Sequence, residues 1–188
     1  MKTREGYKNT KIGWVTDDWE EKSIGDLVSF SGGSQPPRKT FIFEPKEGYV
    51  RLIQIRDYKT DKYKTYVPST STKKFCTADD IMIGRYGPPI FQILRGIEGA
   101  YNVALIKCIP QEHIMKKYLW YYLNQRKLFS FIENLSQRSS GQTGVDMEML
   151  KNYPFPLPPL LEQQKIADIL STVDCLQDRC GLKFDDKN

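Results

Sequence analysis

The chain has 188 residues, enough for one domain with a single hydrophobic core or for one domain and an appendage. Its 39% hydrophobic and 12% aromatic content is that of a globular protein and excludes an intrinsically disordered one. The formal charge of +5 is uneven, because residues 161–188 hold more acidic than basic residues and the basic excess lies in the first 160. A basic body favours a polyanionic partner, although many basic proteins bind no nucleic acid.

The four cysteines and the single histidine argue against metal chemistry, because no two cysteines have CxxC spacing and no second close pair of ligands is present. We therefore predict no metal site. The scattered thiols and the absence of a recognisable signal peptide suggest a reducing compartment, and no apolar run is long enough to span a bilayer. The expected location is cytoplasmic, with no membrane partner.

The first two thirds of the chain have the character of strands. Polar and apolar residues alternate in several short runs, which are separated by glycine- and proline-rich segments such as the predicted loop at 31–39. The predicted strands are Ser23–Phe30, Gly48–Ile55, Asp80–Gly84 and Gly99–Lys107. Because no helical pattern separates them, a partly closed antiparallel or mixed sheet is favoured over a parallel one.

Helical periodicity begins after Pro110. Gln111–Glu133 is predicted to form one or two amphipathic helices, Ser136–Gly144 a polar loop, and Val145–Leu150 another short element. The chain is thus predicted to be α+β, with helices flanking a twisted, mainly antiparallel sheet.

The C-terminal segment joins a proline-rich stretch to a strongly periodic helix. Four prolines lie between Asn152 and Pro159, and each restricts its own backbone and that of the preceding residue, which predicts a rigid joint. From Leu161 onward, apolar residues follow the 3-4 spacing of a coiled coil. The proposed helix–helix interface comprises Ile166, Ile169, Val173 and Leu176. The alternative is an amphipathic helix that packs on its own domain.

Two motifs raise the possibility of an enzyme. Asn152–Phe155 (NYPF) is similar to the Asn-Pro-Pro-Tyr/Phe tetrapeptide of amino-methyltransferases, but Tyr153 replaces the first proline and no glycine-rich loop for S-adenosylmethionine is evident. Glu44-Pro45-Lys46 matches part of a nuclease motif, but proline between two metal ligands is a poor fit to a strand. No catalytic residue is assigned.

Basic and amide side chains recur in four separate loops, which is the chemistry that contacts phosphates and base edges. The alternative is that these loops are simply solvated. The predicted DNA-binding residues are Arg38, Lys39, Arg56, Arg85, Tyr86, Gln137, Arg138 and Gln142.

Three stretches resemble the DNA specificity subunit of type I restriction-modification systems. Tyr7–Val28 is similar to the start of the family, a Gly-Trp-x-Pro-x-x-Trp pattern followed by a Leu-Gly-Asp-Leu strand, with Thr16 in place of the proline and Ile24 in place of the leucine. Asp80–Leu105 resembles a core hairpin, and the segment NYPFPLPPLLEQQKIADIL the entry into the spacer helix. The resemblance implies a target recognition domain at 1–158 and a spacer or dimerisation helix at 159–188 that is expected to be truncated.

The resemblance also implies partners. Double-stranded DNA, methyltransferase subunits and a restriction subunit are expected, with either a second recognition domain or a homodimer formed through the C-terminal helix. S-adenosylmethionine, magnesium and ATP would belong to the partner subunits, and none to this chain. Two alternatives stay open: a catalytic DNA enzyme, either methyltransferase or nuclease, and an interaction protein that binds no DNA.

Overall fold

The computed structural model describes residues 4–10, 13–138 and 144–180. Strands dominate the first part of the chain and helices the last. The strands of these ranges are β1 (Tyr7–Thr10), β2 (Gly13–Thr16), β3 (Glu20–Ser23), β4 (Val28–Gly32), β5 (Tyr49–Ile53), β6 (Tyr66–Pro68), β7 (Phe75–Cys76), β8 (Ile81–Gly84), β9 (Gln92–Leu94), β10 (Gly99–Tyr101), β11 (Leu105–Pro110) and β12 (Pro154–Leu157). The α-helices are α1 (Ile24–Leu27), α2 (Lys116–Leu123), α3 (Arg126–Arg138), α4 (Met147–Lys151) and α5 (Leu160–Cys180).

The strands form two four-stranded sheets and two separate pairs. One sheet has the order β6-β5-β10-β7 and the other β4-β11-β8-β9, while β1 pairs with β2 and β12 with β3. The β5–β10 pair is parallel, and the other pairs of these described strands are antiparallel. The predicted α+β fold with mainly antiparallel strands and flanking helices is confirmed.

The largest hydrophobic cluster lies between the β4-β11-β8-β9 sheet and the helices. Buried residues of α2 and α3 pack there against apolar side chains of β8 and β11 and against the C-terminal strand β12. Phe155 of β12 is fully buried and its ring lies 4.1 Å from that of Tyr122. The C-terminal segment therefore belongs to the core of the body, which fixes where α5 begins.

Two predicted strands are divided. The run Ser23–Phe30 was predicted as one strand, but a single turn of helix, α1, interrupts it. Ser23 and Asp26 form a reciprocal capping box, in which the side chain of each accepts a hydrogen bond from the backbone N–H of the other, and this local pairing overrides the alternating pattern. The predicted strand Gly99–Lys107 is divided by a turn at Asn102, whose Oδ1 accepts from the N–H of Ala104.

The polar loop predicted at 136–144 does not begin at Ser136. Helix α3 continues to Arg138, so Gln137 and Arg138 lie in its last turn and not in a loop. The amphipathic pattern of α3 persists past Glu133, so a change to polar residues did not mark the end of the helix.

The proline-rich segment, predicted as a rigid joint, contains strand β12. Strand β12 pairs with β3, and the carbonyls of Pro154 and Pro156 accept hydrogen bonds from the hydroxyls of Tyr122 and Tyr118. Proline has no N–H, so the edge of β12 at these residues presents only acceptors, and the two tyrosines satisfy them. The prolines are compatible with a strand because this edge faces a helix and not another strand.

Helix α5 packs against α2 from its first turn as far as Asp174, since Lys117 pairs with Asp168 and the Tyr121 hydroxyl donates to Asp174, each at 2.8 Å. Gln163 and Ala167 are buried, and Ile166 packs against the main hydrophobic cluster of the same chain. Beyond them Ile169, Val173 and Leu176 are exposed. The predicted interface residue Ile166 thus contacts its own body, while the other three remain available for a partner.

Candidate nucleic-acid interface

A groove runs along the edge of the β6-β5-β10-β7 sheet and combines cationic with aromatic side chains. It consists of two adjoining cavities, of about 380 and 700 Å³, which share Phe43 and Arg56. We call it the basic-aromatic groove; its lining is Arg38, Phe41, Phe43, Glu44, Pro45, Gln54, Arg56, Asp61, Lys62, Tyr63, Lys64, Thr65 and Tyr66. Four cationic side chains against two acidic ones make this lining net basic, which suits an anionic ligand.

Backbone pairing brings the parts of the groove together. Ile42 and Tyr66 exchange two backbone hydrogen bonds, of 3.0 and 2.8 Å, so the segment after the turn Arg38–Thr40 lies beside the start of β6. The turn Ile55–Tyr58 follows β5, the neighbour of β6, and carries Arg56 to the same place. The groove is therefore built from three chain segments.

One aromatic ring, that of Tyr63, contacts two cations of the groove. The guanidinium of Arg56 and the ammonium of Lys62 each lie 5.5 Å from the ring centroid of Tyr63, within the range of a cation–π interaction. Such contacts orient the long side chains but leave their hydrogen-bond donors free to bind a phosphate or a base edge.

One acidic residue of the groove is already neutralised by the protein. Asp61 pairs with Lys64 at 3.0 Å and with Arg51 at 2.9 Å. The hydrogen bond from Lys64, assisted by Arg51, holds the pKa of Asp61 below its usual value, so the carboxylate stays charged and occupied. Lys64 is thereby engaged internally, which leaves Arg38, Arg56 and Lys62 as the cations best placed for a ligand.

Arg85 and Tyr86 lie on a second segment, directly after β8. The Arg85 guanidinium lies 5.3 Å from the Tyr86 ring centroid, and the Arg85 carbonyl accepts a hydrogen bond from the N–H of Val145. Gly84 packs against Ile55, since a Cβ at Gly84 would lie 3.4 Å from the Ile55 Cδ1. The end of β8 is thus adjacent to the turn that carries Arg56.

The structure brings only some of the predicted DNA-binding residues into the basic-aromatic groove. Arg38 and Arg56 line the same groove, and Lys39 is exposed on the turn of Arg38 without lining it. Gln137 and Arg138 lie at the end of α3, and Gln142 lies outside the described residues.

Sequence reasoning missed the aromatic members of the groove, Phe43, Tyr63 and Tyr66. The available signal was the interleaving of aromatic and basic residues in RDYKTDKYKTY (Arg56–Tyr66), a pattern typical of nucleic-acid contacts. Phe43 gave no such signal, because an isolated apolar residue is expected to be buried.

The candidate catalytic motifs are used structurally. Asn152 ends α4, while Tyr153 and Phe155 are buried in the core, where neither ring could stack on a base. Glu44-Pro45-Lys46 lies outside the strands. Within the part of the chain that the structure describes, no group of three or more His, Cys, Asp or Glu residues could hold a metal ion.

The buried thiols are also unsuited to nucleophilic chemistry. Burial raises the pKa of Cys76 to about 11, and it raises that of the fully enclosed Cys108 further still. A reactive cysteine needs the opposite shift, toward the thiolate. Of the helices in the described ranges, none is long and apolar enough to cross a membrane.

The structure thus combines an α+β body, a groove with a net basic lining and a C-terminal helix whose distal apolar residues are exposed. The model of the family described as "Type I restriction modification DNA specificity domain" matches residues 16–179. The chain belongs to this family.

Relatives and solved structures agree with this assignment. The chain is 29% identical over 173 residues to the type I restriction enzyme MjaVIII specificity subunit of Methanocaldococcus jannaschii. The aligned region covers 92% of this chain and 40% of that protein. The HsdS subunit of Thermoanaerobacter tengcongensis has the same fold, with a TM-score of 0.68, 18% identity, and coverage of 96% of this chain and 44% of that one. A chain from a type I R-M system studied for complex assembly and conformational transition gives a TM-score of 0.69 at 19% identity, and covers 88% of this chain and 40% of that one. The chain thus spans about two fifths of the length of the proteins it matches.

Proposed function

We propose that the chain recognises one half-site of double-stranded DNA, as the specificity module of a type I restriction-modification enzyme. The observation that carries the proposal is the family match over residues 16–179, a range that contains the whole basic-aromatic groove. The convergence of Arg38, Arg56 and Lys62 from separate segments supplies the positive surface that phosphate binding requires.

The groove offers both kinds of contact that a sequence-reading protein needs. Lysine and arginine side chains hold phosphates and fix the protein on the duplex, while arginine and amide side chains discriminate base edges through paired donors and acceptors. Arg38, Arg56 and the Gln54 amide line the smaller cavity together and are the proposed base-reading set. Lys39, Lys62 and Arg85 are proposed as phosphate contacts at its margins, with Tyr86 beside Arg85. Gln137 and Arg138, at the end of α3, and Gln142 remain proposed contacts.

The C-terminal helix is proposed to join this module to its partners. Residues 1–158 would form the target recognition domain and 159–188 the assembly segment, in which Ile169, Val173 and Leu176 present an apolar face. This face suits either the helix of a second recognition domain or a second copy of the chain. Methyltransferase and restriction subunits would supply the chemistry with S-adenosylmethionine, magnesium and ATP, and this chain would catalyse no step.

Selection from a pool of random duplexes tests the proposal. The purified chain is incubated with the pool at about 150 mM salt, where nonspecific contacts are weakened, and bound DNA is sequenced after several rounds. We expect one short motif to be enriched by the wild type and the enrichment to be lost in the Arg38→Ala/Arg56→Ala double variant. Bound sequences that match the starting pool would contradict recognition of a half-site, and cleavage or methylation of the pool by the chain alone would favour an enzyme.

A further inference from the structure

Phe43 is exposed in an unusual place. Its exposed fraction of 71% is the highest among the large apolar side chains of the described residues. The side chain lies where the two cavities of the basic-aromatic groove meet, and it lines both of them. It therefore borders the open space of both cavities. An exposed apolar residue alone is ordinary, so the argument depends on the surroundings of this one.

The backbone beside Phe43 is fixed. The preceding residue, Ile42, makes the two backbone hydrogen bonds to Tyr66 described above, and Pro45 restricts the chain two residues later. Phe43 thus extends from a supported position and not from the tip of a long loop. A residue that inserts into stacked bases needs such support, because the conformational entropy lost when a mobile segment becomes ordered would offset the favourable contacts.

The neighbours of Phe43 select DNA over a protein partner. Arg38 lines one of the two cavities and Lys62 the other, while Arg56 lines both. Lysine, here Lys62, is depleted at the centre of interfaces between proteins, whereas proteins that bend DNA combine a cationic surface with an apolar residue that enters a base step. Phenylalanine is one of the residues used in this way.

We propose that Phe43 inserts between two stacked base pairs when the groove binds DNA, and that it unstacks that step. The inference rests on the proposed function, since it needs a duplex in the groove. It adds a shape-dependent component to recognition: base steps that unstack easily would be favoured even where no side chain contacts their edges. Lys62, a proposed phosphate contact that lines one cavity together with Phe43, would hold the backbone beside the opened step.

Binding to paired and locally unpaired DNA tests the insertion without knowledge of the target sequence. The probes are a fluorescent duplex of about 24 base pairs and the same duplex with a two-base mismatch at its centre, where unstacking has already been accomplished. For the wild type we expect about tenfold tighter binding to the mismatched duplex. For Phe43→Ala we expect the two affinities to agree within about twofold, because the paired duplex no longer has to be opened.

Two controls make the result specific. Phe75→Ala removes another aromatic side chain, 43% exposed and outside the groove, and should keep the wild-type preference. Phe43→Leu keeps an apolar side chain that can enter a base step and should retain most of the preference. Circular dichroism verifies that each variant is folded.

The outcomes separate this inference from the function on which it rests. Equal binding of both duplexes by the wild type, or an undiminished preference in Phe43→Ala, would overturn the insertion and leave DNA recognition intact. Failure of the wild type to bind either duplex would overturn both. As a second readout, the fluorescence of 2-aminopurine placed at the central base step should increase when the wild type binds and unstacks it. It should not increase when Phe43→Ala binds.

Discussion

The side-chain Oε1 of Gln163 accepts a hydrogen bond of 2.9 Å from the backbone N–H of Met115, the residue before α2. The Nε2 of the same amide donates to the carbonyls of His113 and Pro158, each at 2.9 Å. Gln163 is fully buried in the first turn of α5, so one amide satisfies three backbone groups away from water. This residue fixes the start of α5 on the body and sets the direction in which the helix leaves it.

Loss of the Gln163 amide should therefore destabilise the protein. We expect Gln163→Ala to lower the free energy of unfolding by about 2–4 kcal/mol, because it leaves buried backbone groups unpaired and creates a small cavity. The neighbouring Gln164 binds Asp168 at the surface, and Gln164→Ala should cost less than about 0.5 kcal/mol. Urea denaturation measures both values. Equal effects of the two substitutions would show that Gln163 does not hold the joint.

Asp80 should make the stability depend on pH. Burial alone would raise the pKa of Asp80, but hydrogen bonds from Lys107 at 2.6 Å, from the N–H of Thr77 and from Lys116 outweigh it and hold the pKa far below its usual range. Because the pKa is lower in the folded than in the unfolded state, this stabilisation is present at neutral pH and is lost as the pH falls through about 4 toward the folded pKa.

The test is Asp80→Asn, measured at pH 7 and pH 3. We expect it to lower the free energy of unfolding by about 3 kcal/mol at pH 7, because Lys107 and Lys116 lose their anion. The difference from the wild type should shrink by about 1 kcal/mol at pH 3. Asp79→Asn removes the same charge from the exposed neighbour and should have little effect at either pH. A difference that is independent of pH would contradict the role of the Asp80 carboxylate.

The arginines of the interface should differ in how they affect binding. If Arg56 or Arg38 contacts a base edge, its substitution by alanine should weaken binding to the selected duplex by about 1–3 kcal/mol and relax the preference at one position. Arg85→Ala should weaken all duplexes alike and reduce the salt slope by about 1, as expected for a phosphate contact. Fluorescence anisotropy at several salt concentrations separates the two patterns.

Lys151 provides the control for these substitutions. Lys151 lies on α4, where it pairs with Glu148 outside the groove. Lys151→Ala removes one positive charge, as the arginine substitutions do, and should leave the affinity for DNA within about twofold of the wild type. Equal losses in Lys151→Ala and Arg56→Ala would mean that net charge, and not the groove, determines binding.

The exposed face of α5 should mediate assembly without stabilising the isolated body. We expect Ile169→Asp and Val173→Asp to abolish association through the helix while the melting temperature of the monomer stays within a few degrees. Ile166→Asp should unfold the body instead, because Ile166 packs against its core. Leu161→Asp places the same charge at another exposed apolar site, outside the proposed face, and should preserve association. Sedimentation velocity of each variant, alone and mixed with the helix of a second recognition domain, distinguishes these outcomes.

The regular elements could be predicted where local pattern and tertiary packing agree. Strands β5 and β8 lie within the predicted runs Gly48–Ile55 and Asp80–Gly84, because their β-branched and apolar residues contribute to three hydrophobic clusters. The helical turn at Ile24–Leu27 was missed because a capping box between Ser23 and Asp26 competes with an alternating pattern that favours a strand.

The candidate site was only partly predictable. Basic loops identified Arg38 and Arg56 separately, but their meeting in one groove depends on the backbone pairing of Ile42 with Tyr66, a contact between distant parts of the chain. The position of Phe43 in this groove likewise depends on that pairing, because Phe43 directly follows Ile42. Composition indicates which side chains can bind DNA, whereas the long-range pairing of strands decides which of them act together.

The most direct test of the proposed recognition is a map of methylated adenines made by the chain together with the methyltransferase subunits proposed as its partners. Both are produced in a host that lacks adenine methylation, and the genome is sequenced by a method that detects the modified base. We predict one methylated motif that contains the half-site selected in vitro, and its loss in the Arg38→Ala/Arg56→Ala variant. Methylation at sites unrelated to that half-site, or an unchanged map in the variant, would contradict the account.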